Sequence, residues 1–130
     1  MQNAPSGKSA LGLDGNIAAM LGYIVGIVAL ILIFIEKDNK FVRFHAIQSM
    51  LWVVLYIVGL FAIIIVGVII SIIGGAASQT LGGILAGLTF LLYFVWILVF
   101  LGGIIYSAIK AFGNNMNKLP IVGSFAEKWA

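Results

Sequence analysis

Three long apolar runs account for most of this sequence and leave room for few kinds of fold. The runs cover residues 17–35, 46–73 and 81–109, and no Asp, Glu, Lys, Arg or His occurs between Ala46 and Ile109. A membrane-spanning helix needs roughly 20 mostly apolar residues, so each run is long enough to cross a bilayer. With 63% hydrophobic and 8% charged residues, the chain has too little polar surface for a water-soluble globule. The sequence therefore predicts an integral membrane protein of the all-α class.

The predicted architecture is a bundle of three transmembrane helices that forms a single domain over residues 16–130. Residues 1–15 mix Pro, Ser, Gly, Gln and Asn without hydrophobic periodicity, which predicts a flexible N-terminal tail. The second run, 46–73, would form a helix about 42 Å long against a hydrocarbon core of roughly 30 Å, so it must tilt or emerge on one side. Splitting it into two spans would leave pieces below the usual minimum length.

Two further signals lie at the ends of the runs. Asp38 or Asn39 is a candidate N-cap for a helix that begins before the second run. After the third run, residues 110–130 predict a short interfacial segment, with Pro120 in the first turn of a short helix and Trp129 at the level of the lipid headgroups.

The basic residues predict the orientation. Lys37, Lys40 and Arg43 lie in the first connection and three lysines lie in the C-terminal tail, whereas the second connection has no basic residue. Because basic residues near span ends stay on the cytoplasmic side, the first connection and the tail are predicted to face the cytoplasm. With three spans, the N-terminus would lie outside and the C-terminus in the cytoplasm, in the inner (plasma) membrane of the cell.

Small and aromatic residues predict how the helices meet. In lipid, helices associate through close packing at small residues and through side-chain hydrogen bonds. Ala18, Gly22 and Gly26 recur every four residues in the first run, although glycine is common in spanning helices generally. The residues predicted to pack between helices are Gly22, Gly26, Trp52, Tyr56, Tyr93, Trp96 and Gly103.

A polar and aromatic stripe is predicted on each of the two longer helices. At about 100° per residue, one face of the second helix carries the following residues: His45, Gln48, Ser49, Trp52, Tyr56 and Gly59. Lys40 and Arg43 project from its opposite side. One face of the third helix carries Gly82, Ala86, Thr89, Tyr93, Trp96, Gly103 and Ser107. Because polar groups turned to lipid would lack partners, we expect the two stripes to meet, as a packed interface or, alternatively, as a ligand site.

The positions of the ionisable residues exclude several functions. All four acidic residues lie in the tails or the first connection, so no carboxylate lies within a predicted span. Proton-coupled transporters, pumps and voltage sensors carry ionisable residues at depth, and we expect none of these activities from the chain alone. The basic residues form no patch that could follow the phosphates of a duplex, so no nucleic-acid partner is predicted. The absence of cysteine excludes disulfides and thiolate chemistry.

His45 alone raises a catalytic or metal-binding alternative. With Glu36 or Asp38 it could form an acid–base pair or a sparse metal site at the membrane surface. The sequence has no H-E-x-x-H or G-x-S-x-G motif and no glycine-rich phosphate loop. We therefore predict no catalytic, cofactor-binding or metal-ligating residue, no cofactor and no enzyme activity, and interpret His45 beside Gln48 as a hydrogen-bonding packing residue.

Two segments resemble motifs of a known family. Residues 39–50, NKFVRFHAIQSM, keep the pattern VRFHAxQS, and residues 112–128, FGNNMNKLPIVGSFAEK, contain the pattern KLPxxG. They resemble a widespread family of small prokaryotic membrane proteins of unassigned function. That family resembles the multi-span Tic subunit of the chloroplast protein-import translocon, which is usually drawn with four spans where this chain has room for three. The resemblance implies a membrane component and, by analogy, a link to protein translocation.

Both motifs lie on the same predicted side of the membrane, where we expect one polar cluster that holds helix ends or docks a partner. Its predicted members are Arg43, His45, Gln48, Ser49 and the turn over residues 114–120, with Asn114, Lys118 and Pro120 singled out. The predicted function is a non-enzymatic integral membrane subunit, a scaffold or accessory component of a larger complex. Its partners would be the lipid bilayer and other membrane subunits or further copies of the chain. The alternatives are an oligomeric channel or small-solute permease, and a membrane-surface metal or enzyme site at His45.

Overall fold

The computed structural model describes residues 6–130, which fold into α-helices without a strand in this part of the chain. The helices are α1 (Gly15–Ile24), α2 (Gly26–Ile35), α3 (Lys40–Ala77), α4 (Gln79–Phe112) and α5 (Val122–Trp129). Within the described residues, α3 and α4 are the two helices long and apolar enough to cross a membrane. The predicted all-α class is confirmed.

The first apolar run is broken, whereas a continuous span was predicted over residues 17–35. Val25 has an extended backbone, with φ −118° and ψ 98°, and separates α1 from α2. Gly22 and Gly26 have low helix propensity and Ile24 and Val25 are β-branched, so the run is a weak helix former here. Each helix has ten residues. At about 15 Å, each is half as long as a hydrocarbon core of about 30 Å, so neither can span the membrane alone.

The two short helices fold back on each other as a hairpin. A Cβ placed on Gly22 would lie 3.4 Å from the Cβ of Ala29, so small residues permit the close approach. Gly26, predicted to share a helix face with Gly22, instead begins α2. At the open end of the hairpin, the Ala10 N–H donates to Glu36 Oε2 at 2.6 Å. The chain that enters α1 therefore lies beside the chain that leaves α2.

The flexible tail predicted before α1 is a hydrogen-bonded turn where the structure describes it. The Gly15 N–H donates to the Gly7 carbonyl at 2.6 Å. Asn39 Nδ2 donates to the Ser6 carbonyl, also at 2.6 Å. Residues 1–5 of the predicted tail lie outside the described residues.

The segment before α1 also lies beside the end of α4. The Ser6 N–H donates to Asn114 Oδ1 at 3.1 Å, and Asn16 Nδ2 donates to the Phe112 carbonyl at 2.9 Å. Opposite sides of the membrane were predicted for the two ends of the chain on the basis of three spans. In the structure, the α1–α2 hairpin brings the segment before α1 and the start of α3 to the same end of the hairpin. The orientation in the membrane stays a prediction.

The long helices extend beyond their apolar runs. At the start of α3, Asn39 Oδ1 accepts the Val42 N–H at 3.2 Å, so Asn39 is the N-cap of the two candidates. Ser78 alone separates α3 from α4, and its hydroxyl accepts the Leu81 N–H at 3.0 Å. Residues 74–80, which join the second and third apolar runs, are therefore mostly helical.

The described residues divide into two compact units. That residues 16–130 form a single domain stays a prediction. The first unit contains residues 6–53 and 101–130, with α1, α2, α5 and parts of α3 and α4. The second unit, residues 54–100, is an antiparallel hairpin made by the rest of α3 and α4. Its arms, 54–77 and 79–100, are about 36 Å and 33 Å long, which is enough to cross a hydrocarbon core of about 30 Å.

A tryptophan and glycines determine the packing in the second unit. Trp96 of α4 lies over Gly59 of α3 and occupies the space that a Cβ would need. Its Nε1 donates to the Tyr56 carbonyl at 3.0 Å. The Thr89 side chain fills the space over Gly67 in the same way. The predicted faces of α3 and α4 are in contact through these residues.

The remaining packing residues also join α3 to α4. In the second unit, the rings of Tyr56 and Phe100 have centroids 4.4 Å apart. In the first unit, Trp52 lies over Gly103, where an added Cβ would be 2.6 Å from Trp52 Cε2. Close helix packing in each unit thus depends on glycine beneath an indole ring.

Candidate functional site

A hydrogen-bonded cluster of polar side chains lies buried in the first unit. At its centre, the Tyr23 hydroxyl lies 2.7 Å from His45 Nδ1 and accepts a hydrogen bond from Gln48 Nε2 at 2.8 Å. His45 and Gln48 are fully buried, and Tyr23 is nearly so. On the other side of the imidazole ring, His45 Nε2 lies 3.0 Å from the Asn115 carbonyl oxygen. The cluster therefore links α1, α3 and the segment after α4.

The partners of His45 determine where its proton lies. A carbonyl oxygen only accepts, so we assign the ring hydrogen to Nε2, which donates to Asn115 and leaves Nδ1 as the acceptor. The Tyr23 hydroxyl then donates to Nδ1. Burial raises the pKa of Tyr23, so its hydroxyl stays protonated and keeps this donor role. Both nitrogens of His45 are thus engaged within the protein.

Gln48 connects α3 to the C-terminal segment through its whole amide group. Its Nε2 also donates to the Asn117 carbonyl at 3.0 Å, and its Oε1 accepts the Leu119 N–H at 2.9 Å. Together with the bond to Tyr23, these contacts use both amide hydrogens and the amide oxygen. A Cβ added to Gly123 would lie 2.9 Å from the same oxygen, so the start of α5 packs directly on Gln48.

Two serines extend the cluster. Ser49 Oγ donates to the Gly22 carbonyl at 2.8 Å, near the end of α1 where helix carbonyls lack intrahelical partners. On α4, Ser107 Oγ accepts a hydrogen bond from Asn117 Nδ2 at 3.0 Å. The cluster therefore holds α1, α3, α4 and the C-terminal segment together.

The turn after α4 sets the position of the Asn115 carbonyl. Asn114 adopts a left-handed backbone with φ 59°. Its N–H donates to the Ala111 carbonyl at 3.0 Å, and the Asn115 N–H donates to the Lys110 carbonyl at 2.9 Å. This pair of bonds is a Schellman ending, in which Asn is one of the few residues other than Gly that accept the left-handed conformation. The predicted member Asn114 thus acts through its backbone and through its bond to Ser6.

Arg43 lies outside this cluster, although it was predicted to belong to it. Its Nη1 donates to the Ile33 carbonyl at 2.8 Å and to the Glu36 carbonyl at 3.1 Å. These carbonyls end α2, where a cation interacts favourably with the helix dipole. The spacing explains the separation, because residues two apart on a helix, such as Arg43 and His45, project to nearly opposite sides.

Lys118 and Pro120 are also exposed and do not join the cluster. Lys118 forms an ion pair with Glu127 of α5. Pro120 lies in a turn, and α5 begins two residues later at Val122 rather than with Pro120 in its first turn as predicted. Trp129, at the end of α5, is 53% exposed. Of the predicted members, the structure brings His45, Gln48 and Ser49 together.

Two participants, Tyr23 and Ser107, were not among the predicted members. Within the predicted turn, Asn115 and Asn117 contribute backbone carbonyls, and Asn117 also contributes its side-chain amide. Ser107 was placed on the stripe of the third helix but not in the cluster. Tyr23 had the clearest signal, because it is the one polar side chain within the first apolar run and a hydroxyl in an apolar setting needs a partner.

Comparison with known proteins finds relatives that are named as membrane proteins. A UPF0132 membrane protein of Methanocaldococcus jannaschii is 36% identical over 126 residues, 95% of this chain and 96% of that protein. A second from the same organism is 32% identical over 92% of this chain and 73% of its own length. One from Archaeoglobus fulgidus is 30% identical over 87% and 92%, respectively. No solved structure matches the chain.

These relatives confirm the prediction of a small prokaryotic membrane protein family and a membrane location. The resemblance to the chloroplast import subunit stays a prediction. Residues 10–126 match the sequence model of one protein family. This range contains the patterns VRFHAxQS and KLPxxG and the residues of the polar cluster. The chain therefore belongs to the magnetosome magnetite crystal formation protein family.

Proposed function

We propose that this chain is a non-enzymatic membrane subunit, a scaffold or accessory component of a larger membrane assembly. One observation carries the proposal: the polar groups of Tyr23, His45 and Gln48 are buried and engaged with one another and with the backbone. Such a network stabilises one arrangement of helices. It leaves neither His45 nitrogen free to act on a substrate.

The exposed surface of the second unit supports a membrane role. Its helices expose large apolar side chains, among them Val58, Phe61, Ile65, Phe90 and Leu91. In a bilayer, such a surface contacts lipid tails or the helices of other subunits. A subunit that organises neighbouring membrane proteins needs a stable fold and an apolar outer surface, and it needs no catalytic group.

We further propose that both ends of the chain lie in the cytoplasm and that α3 and α4 are the two spans. The seven basic residues lie before residue 46 or after residue 109, and the connection at Ser78 has none. Because basic residues near span ends stay on the cytoplasmic side, this distribution favours a cytoplasmic position for both ends of the chain. With two spans, all seven basic residues would lie on the cytoplasmic side, whereas with three spans Lys8 would lie outside.

The family description names magnetite crystal formation, whereas the archaeal relatives are named only as membrane proteins. Within the described residues, no group of three or more His, Asp or Glu side chains could share a metal ion. We therefore propose that this chain, like other members of the family, organises neighbouring proteins within the membrane. Among the described residues, no such group supports direct binding of iron by this chain.

Reconstitution and native purification together test the proposal. Purified full-length protein in liposomes should conduct neither ions nor small solutes. The same protein purified from native membranes in mild detergent should migrate as a complex that contains other subunits. Flux through the pure protein, together with a homogeneous species from native membranes, would favour the oligomeric channel and contradict the proposal.

A further inference from the structure

We propose that the α1–α2 hairpin inserts into one leaflet of the bilayer only, and that this directs the chain to membrane that is convex on the side of its two ends. The partner of the hairpin is the acyl region of that single leaflet. The proposal rests on the arrangement in which α3 and α4 are the two spans. It adds to the scaffold role the kind of membrane on which the scaffold assembles.

One face of α2 exposes apolar side chains along the whole length of the helix. The opposite face carries Ala29 and Leu32, which are fully buried against α1 and α3. The exposed face carries five large apolar side chains, each at least 42% exposed: Ile27, Leu30, Ile31, Phe34 and Ile35. Because a continuous apolar stripe of this kind is unfavourable in water, α2 needs an apolar surrounding.

The tip of the hairpin has the features that a chain reversal needs in hydrocarbon. Within residues 21–28 the one polar side chain is Tyr23, which is buried. The break between the helices frees backbone groups, and contacts within the protein pair them. The Val25 N–H donates into the last turn of α1 at 2.7 Å, and Ser49 Oγ donates to the Gly22 carbonyl at 2.8 Å. Such pairing is required in a bilayer core, because no water is present to replace it.

The open end of the hairpin is charged, so the polarity changes along its axis. Lys37 and Asp38 follow α2 directly, and both are exposed. At the other end, a Cβ on Gly26 would lie 3.7 Å from Met50 Cε, so the tip lies beside Met50. Met50 follows Lys40 by ten residues, or about 15 Å along α3, which is half of a hydrocarbon core of about 30 Å. A leaflet has this depth and this change of polarity, whereas a protein partner on the stripe would require neither.

A hairpin of half depth adds cross-section to one leaflet and none to the other. With a diameter of about 10 Å per helix, its two helices add about 160 Å². In the same unit, α5 packs on α3 through Ala126 and exposes the rings of Phe125 and Trp129, which suit the headgroup region of that leaflet. A membrane relieves excess area in one leaflet by curving so that this leaflet lies on the convex side. The chain should therefore favour membrane that is convex toward its ends.

The distribution of the protein between flat and tubular membrane tests the proposal. Full-length Ala10→Cys and Gln79→Cys proteins are reconstituted in both orientations into giant phosphatidylcholine vesicles. A membrane-impermeant fluorescent maleimide, added outside, labels only molecules whose cysteine lies outside, and a narrow tube is then pulled from the vesicle. Protein labelled at residue 10 should be enriched at least about twofold on the tube, whose outer surface is convex, and protein labelled at residue 79 should be depleted.

The two labels distinguish how the proposal would fail. Equal density of both labelled proteins on tube and vesicle would overturn the proposal and leave the two spans and the scaffold role intact. A shift of both labels in the same direction would place residues 10 and 79 on one side, as three spans require, and would overturn the half-depth hairpin with the two-span arrangement. Enrichment at residue 79 with depletion at residue 10 would place the excess area in the other leaflet and contradict the proposal.

Lysine at two depths on the same face of α2 identifies the hairpin as the cause. Each variant is combined with Ala10→Cys. Ile27→Lys places a cation near the middle of the bilayer and should abolish the enrichment. Phe34→Lys is the matched control, because Phe34 is 69% exposed on the same face but lies at the charged end, where a lysine reaches the headgroups and the enrichment should persist. Enrichment that survives in a folded Ile27→Lys protein would overturn the proposal.

Ile24→Cys decides the question if Ile27→Lys fails to fold. Ile24 is 62% exposed at the tip of the hairpin, and the substitution introduces no charge. In liposomes, the thiol should react with the impermeant maleimide from neither side and should become reactive in denaturing detergent. Labelling of Ile24→Cys in intact liposomes as fast as that of Ala10→Cys would show that the tip lies in water, which would overturn the proposal.

Discussion

The Tyr23 hydroxyl donates a hydrogen bond of 2.7 Å to His45 Nδ1 and thereby joins the short α1–α2 hairpin to the long helix α3. Neither helix of the hairpin can cross a membrane alone, so its position depends on such contacts. The bond from Ser49 to the Gly22 carbonyl supports the same attachment one turn away. The family motif around His45 therefore has a structural explanation in the contacts that it makes.

Tyr23→Phe should destabilise the protein. The substitution keeps the ring but leaves His45 Nδ1 without its donor and one Gln48 N–H without its acceptor, inside a buried site. A buried polar group without a partner costs about 1–3 kcal/mol, so we expect a loss of that size in the free energy of unfolding. Unfolding of the purified protein in mixed detergent, followed by circular dichroism, measures it.

Tyr106→Phe is the matched control, because Tyr106 is 52% exposed and lies outside the cluster. It removes the same atom at the surface and should leave the stability nearly unchanged. Equal stability of Tyr23→Phe and the unmodified protein would show that the hydroxyl contributes nothing to the attachment of the hairpin.

Gln48→Leu should loosen the C-terminal segment. The substitution keeps the side-chain volume similar but removes the bonds to the Asn117 carbonyl and the Leu119 N–H, together with the bond to the Tyr23 hydroxyl. Hydrogen exchange of the Leu119 amide should then become at least about fivefold faster, because the loss of roughly 1 kcal/mol raises the population of the open state by that factor. Exchange measured by mass spectrometry on a peptide that covers residues 115–121 tests this.

Ser124→Ala serves as the control for exchange, since Ser124 is exposed and bonds only to the Ile121 carbonyl in the same segment. We expect its exchange at residues 115–121 to match that of the unmodified protein. Unchanged exchange in Gln48→Leu would mean that packing alone holds the segment on α3.

Gly59→Ala should destabilise the α3–α4 hairpin, although alanine is the better helix former. The new methyl group would occupy the space of the Trp96 indole, and overpacking of this kind costs about 1–3 kcal/mol. Gly87→Ala is the matched control, because nothing lies within 4 Å of its added Cβ. Resistance to unfolding by SDS should fall for Gly59→Ala and stay the same or rise for Gly87→Ala. The reverse order would contradict the close packing of Trp96 on Gly59.

The two long helices could be predicted from the sequence because apolar length is a direct requirement of a spanning helix. The contact faces also followed from helical spacing, which placed Trp52, Tyr56 and Gly59 on one side of α3. The cap at Asn39 was predicted as one of two candidates, because short polar side chains before an apolar helix accept its free N–H groups.

The break at Val25 could not be predicted, because glycine and β-branched residues are common in continuous spans and the run has the length of one. What selects the hairpin is tertiary contact: Gly22 against Ala29, and the Ser49 hydroxyl on the Gly22 carbonyl. The cluster was only partly predicted for a similar reason. Its C-terminal members act mostly through backbone groups, the carbonyls of Asn115 and Asn117 and the N–H of Leu119, which no side-chain pattern reveals.

The side of the membrane on which each end lies tests the two-span arrangement most directly. The chain has no cysteine, so Ala10→Cys, Gln79→Cys and Ser124→Cys each introduce a single thiol at an exposed position. Each variant is labelled with a membrane-impermeant maleimide in intact spheroplasts and in inside-out vesicles. With two spans, residues 10 and 124 should react only in inside-out vesicles and residue 79 only in spheroplasts. Labelling of residue 10 in spheroplasts, with residue 124 still protected there, would restore the three-span arrangement and contradict the hairpin.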